Sequence, residues 1–135
     1  MFHSANFDVA GPGLVVAAAG IGLLALCIVS LIVIILESLV LWRLHWGTFK
    51  RSLLAAFVMN LATSILGAGV VVVTLPLGIW GFLIDFGLSV LVEGGILMLF
   101  RRGAARENWV AALAANTFSY LLVMLPLYLF YGLLK

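Results

Sequence analysis

The chain has 135 residues, 66% hydrophobic and 9% charged, with seven Lys and Arg against five Asp and Glu for a formal net charge of +2. Soluble domains carry about a quarter charged and about half apolar residues, so this composition excludes a soluble globular enzyme, a disordered tail and a nucleic-acid-binding module. A mean hydropathy of +1.33 leaves a small integral membrane protein, with the lipid bilayer as its first partner.

Residues Met1 to Gly13 contain no Lys or Arg, so they lack the basic start of a cleavable signal peptide and the first apolar segment is expected to be retained. A helix needs roughly 20 mostly apolar residues to cross the hydrocarbon core, each adding about 1.5 Å. Four stretches reach that length within one membrane domain. The first runs from about Leu14 to Trp42, after Gly11-Pro12-Gly13, and carries Ser30, Glu37 and Ser38 on one face. The second runs from about Ser52 to Leu75, stops at Pro76, and carries Asn60, Thr63 and Ser64. The third, from about Leu77 to Phe100, places Asp85, Ser89 and Glu93 one turn apart. The fourth, from about Asn108 to Tyr131, carries Asn116, Ser119 and Tyr120, with Pro126 as a point of kinking. An open-edged sheet has no partners for its backbone in lipid, so the expected fold is all-α: a four-helix transmembrane bundle with a polar seam.

Six of the seven basic residues lie in two short loops: Arg43, Lys50 and Arg51 between spans one and two, and Arg101, Arg102 and Arg106 between three and four. Basic loops stay cytoplasmic, so both termini are expected outside, in a bacterial inner membrane. Trp42, Trp46, Trp80 and Trp109 fall at the span ends, where interfacial anchoring is the expected role. Gly47 and Gly103 are expected as loop residues near the ends of spans one and three.

Offsetting the chain by 56 residues aligns Glu37 with Glu93, Gly47 with Gly103, Ala55 and Ala56 with Ala111 and Ala112, and Asn60 with Asn116. Both halves have the loop on the same side, so the expected organisation is two tandem hairpins in parallel repeat, about 14–75 and 77–131. In each half the Glu precedes the Asn by 23 residues across a basic loop, which sets the two at comparable depth. Each carboxyl then sits about 9–12 Å inward of its basic loop.

Two functional readings follow. A charged side chain in hydrocarbon costs about 2.5–3.5 kcal/mol on insertion scales, so intramembrane acids mark functional candidates. Asp85, Glu93 and Glu37 would then serve a small oligomeric transporter or channel as a proton or cation relay, with Gly94 and Gly95 loosening the third span. The plainer reading makes the Glu–Asn pairs interhelical glue, each bond worth about 0.6 kcal/mol, in a non-catalytic accessory or scaffold subunit that packs on other membrane subunits or on itself. Small residues such as Gly13 and Ala17, or Ala18 and Gly22, are spaced for that packing. His3, His45 and the single Cys27 are isolated, so no metal site or internal disulfide is expected. No phosphate-binding loop, nucleophile elbow or haem motif is present, so neither a catalytic residue nor a cofactor is expected.

The segment Glu37–Gly67, ESLVLWRLHWGTFKRSLLAAFVMNLATSILG, resembles the opening hairpin of the cyanobacterial filament-integrity membrane proteins of the FraC type. The shared features are the Glu near a span end, the basic loop, and Asn-Leu then Gly in the next span. The resemblance implies a membrane component associated with cell–cell junction assembly, with no catalytic residues to carry over; the repeated hairpin departs from that pattern.

Overall fold

The computed structural model describes the backbone of residues 12–133 and the side chains of residues 20–70, 73, 74 and 76–130. The described chain is helical throughout apart from its connections: α1 (Pro12–Arg43), α2 (Phe49–Thr74), a 3-10 turn (Leu75–Leu77), α3 (Ile79–Phe100), α4 (Ala105–Ser119), a π-helical turn (Tyr120–Met124) and α5 (Leu125–Leu133). Within it are four spans long and apolar enough to cross a membrane: Gly20–Arg43, Phe49–Val70, Ile79–Phe100 and Ala105–Phe130. This is the architecture of a multi-pass integral membrane protein. Ala17, Ala18, Ala19, His3 and Lys135 lie outside the described side chains.

Helices α1, α2, α3 and α4 pack in a ring, each against its two neighbours. Small residues set the close approaches at one end: Ala55, Ala56, Ala111, Ala112 and Ala115 are buried, together with Leu41, Met59 and Leu97. Without a hydrophobic drive between helices in lipid, backbone proximity of this kind is what favours association. The core lies at the end carrying the two basic loops. Ile21, Leu23, Leu24 and Leu26, further from those loops on α1, are exposed, as lipid-facing residues are.

Several boundaries differ from expectation for one reason. α2 starts at Phe49 rather than Ser52, and α4 at Ala105 rather than Asn108, because a helical backbone keeps its hydrogen bonds where the side chains turn polar. Ser52 N–H donates to Thr48 O at 2.9 Å and Asn108 N–H to Ala104 O at 2.9 Å. The fourth span is not uniform: Leu125 N–H reaches back to Tyr120 O, the five-residue bond of a π turn. Pro126 follows directly, and its missing N–H and its ring are what an ordinary helix cannot accommodate.

Gly94 and Gly95 do not break α3, which is continuous across them. Gly94 is buried beneath the Trp109 ring, where a Cβ would collide, so close packing accounts for that glycine. Gly47 lies in the loop after α1, as expected, but another residue closes the helix. His45, not Gly47, takes the left-handed conformation, with φ 56°; His45 N–H bonds Trp42 O and Trp46 N–H bonds Leu41 O, both at 3.0 Å. That pairing is the usual left-handed helix end, and Leu41 and Trp46 meet in the core as its hydrophobic clasp. Gly103 has φ 86°, the turn expected of it.

Candidate functional site: an intramembrane carboxyl–amide cluster

Glu37 on α1 and Glu93 on α3 are both buried. Asn60 Nδ2 donates to Glu37 Oε2 at 2.5 Å, and Asn116 Nδ2 donates to Glu93 Oε2 at 2.6 Å. Each amide also donates to the carbonyl four residues back, Asn60 to Ala56 at 2.9 Å and Asn116 to Ala112 at 3.0 Å, which holds its side chain along its own helix. A second set of donors crosses between the hairpins. Ser119 Oγ on α4 donates to Glu37 Oε1 at 2.9 Å, while the Thr63 hydroxyl on α2 lies within hydrogen-bonding reach of Glu93. All four helices of the ring therefore contribute to one cluster.

The two carboxyls interact electrostatically, so each acid has a second acid close by, which sequence spacing does not reveal. Ser119 and Asn116, one helical turn apart on α4, hold Glu37 and Glu93 respectively, so the carboxyls occupy adjacent levels of the same helix face. Among the described residues, Asn116 Oδ1 is buried with no hydrogen-bond partner.

Toward the turn between α2 and α3 the polar line continues. Ser89 Oγ and Tyr120 Oη are 3.0 Å apart, and Thr74 Oγ1 lies 3.0 Å from both Asp85 oxygens. Phe82 and Phe86 pack edge-on against the Tyr120 ring. Ser64, expected on the seam, is exposed instead.

The basic loops form a second polar assembly. Trp46 Nε1 donates to Asn108 Oδ1 at 2.7 Å, Asn108 Nδ2 donates to Arg101 O at 2.8 Å, and Arg101 Nη1 donates to Trp46 O at 3.3 Å. Arg51 Nη2 donates to Phe100 O, and its guanidinium lies 5.6 Å from the centre of the Trp46 ring. Trp46 is thus a 4%-exposed core residue rather than an interfacial anchor. Arg51 places its cation on the last carbonyl of α3, where the dipole favours it. Arg43, Lys50, Arg102 and Arg106 are exposed, and Arg101 also pairs with Glu107 at 3.6 Å. Spacing alone does not reveal the role of Asn108; its one sequence signal is a rare amide at the threshold of a span.

Among the described residues no group of three or more His, Cys, Asp and Glu is placed to hold a metal ion. Comparison with models of protein families, with curated proteins and with solved structures finds no match for this chain.

Proposed function

We propose that the chain is a non-catalytic accessory or scaffold subunit of a membrane complex or homo-oligomer, built as two tandem hairpins with both basic loops on the cytoplasmic side of a bacterial inner membrane. The observation that carries this reading is the inward engagement of its polar groups. Glu37 and Glu93 are engaged by Asn60, Ser119 and Asn116, Arg51 by the last carbonyl of α3 and Arg101 by the Trp46 carbonyl of the loop after α1. The membrane-level surface that remains is dominated by Leu, Ile, Val and Phe, suited to lipid and to other helices. Support for the tandem organisation comes from the cluster's exchange of donors: positions 63 and 119 stand at the same offset as 37 and 93, or 60 and 116.

Purification in gentle detergent followed by mass determination tests the subunit reading. It predicts a protein mass above that of one 14.5 kDa chain, from copies or co-purifying subunits; a bare monomer in several detergents and in nanodiscs contradicts it.

A second reading, an oligomeric transporter or channel coupled to protons or cations, is favoured by the paired carboxyls and by the polar line through Ser89 and Asp85. It predicts that Glu93→Gln abolishes ion flux in liposomes while assembly persists. Flux equal to wild type eliminates it.

A further inference from the structure

We propose that the carboxyl pair at the centre of the bundle is a one-proton binding site, in which Glu93 is a neutral carboxylic acid donating to Asn116 Oδ1 and Glu37 is a carboxylate. The assignment rests on hydrogen-bond inventory and holds under either reading of function. Glu37 Oε2 accepts from Asn60 and Glu37 Oε1 accepts from Ser119: both oxygens receive donors, as a carboxylate requires. Glu93 differs. Asn116 gives its Nδ2 to Glu93 Oε2, while its Oδ1, on the same fully buried carboxamide, has no donor. A carboxylic acid facing a carboxamide satisfies both, accepting the amide N–H on one oxygen and returning an O–H from the other. Ionised, Glu93 would leave that buried acceptor orphaned, with nothing to replace the water it gave up on folding.

Among the described residues, no cation interacts with Glu37 or Glu93. α2 presents neutral Asn60 and Thr63, and α4 neutral Asn116 and Ser119; Tyr120 on the π turn interacts with both carboxyls and with Asp85 of α3. The described ion pair, Arg101–Glu107, joins the end of α3 to the first turn of α4. Two anions on adjacent levels of one helix face repel more strongly in the bundle than in water, because the surrounding dielectric is low. A single proton removes that repulsion. The donor pattern says which residue keeps it.

The test is infrared or carbon NMR spectroscopy of the full chain in phosphatidylcholine vesicles with the glutamate side-chain carboxyls isotopically labelled. The sequence has three Glu, of which Glu107 is exposed in the first turn of α4. At neutral pH one neutral acid and two carboxylates are expected in the wild type; three carboxylates, or two acids, overturn the proposal. Glu93→Gln is expected to abolish the acid signal; its survival in that variant overturns the assignment. The same variants differ in stability. The carboxamide that Glu93→Gln introduces can offer both N–H and C=O to Asn116, so the unfolding midpoint of this variant is expected to match wild type. Glu37→Gln turns an N–H toward existing donors and is expected to lower the midpoint. The reverse order would contradict the proposal.

Discussion

Gly94 and Gly95 are neighbours on α3 with opposite surroundings. A Cβ at Gly94 would enter the Trp109 ring, while one at Gly95 meets nothing. Gly94→Ala is therefore expected to destabilise by about 1–3 kcal/mol through overpacking. Gly95→Ala is expected to be neutral or to gain up to about 1 kcal/mol of helix propensity. Unfolding in bicelles checks both, and equal effects would contradict the packing. In sequence the pair reads as a hinge, because nothing local shows which glycine faces Trp109 on the next helix. The Glu–Asn pairs are legible for the opposite reason: they are rare residues, and their spacing across a short loop sets their depth. The Ser119 bond to Glu37 is not legible, since it spans 82 residues and depends on how the hairpins dock.

At the level of elements, the spans follow from apolar length alone, whereas their ends depend on caps that hydropathy does not encode. His45 occupies the left-handed site that closes α1, a conformation costing a non-glycine residue about 1–2 kcal/mol. His45→Gly is expected to stabilise the protein by about 1 kcal/mol, read as a raised unfolding midpoint; a lowered midpoint would mean that the imidazole makes a compensating contact. The locking of the loops is likewise tertiary. Asn108 links Trp46 to the Arg101 carbonyl, so Asn108→Ala strands a buried indole N–H and is expected to cost about 1–3 kcal/mol. A change within about 0.5 kcal/mol, the range of an ordinary surface substitution, would place the strength of that end elsewhere.

For the whole molecule, composition fixes the solvent: a chain this apolar is built for lipid, and four helices of spanning length result. Orientation rests on charge placement. Thr48→Cys and Arg102→Cys, each in a Cys27→Ser background, are expected to react from the cytoplasmic side in both cases; labelling from opposite sides would contradict the tandem arrangement. Carboxyls reaching across the hairpins stitch the bundle together, and the Ser119–Glu37 bond is the stitch between α4 and α1. A double-mutant cycle of Ser119→Ala and Glu37→Gln, measured by reversible unfolding in bicelles, is predicted to show a coupling of about 0.6–1.7 kcal/mol. Additivity within about 0.3 kcal/mol would show that the two hairpins are not joined there.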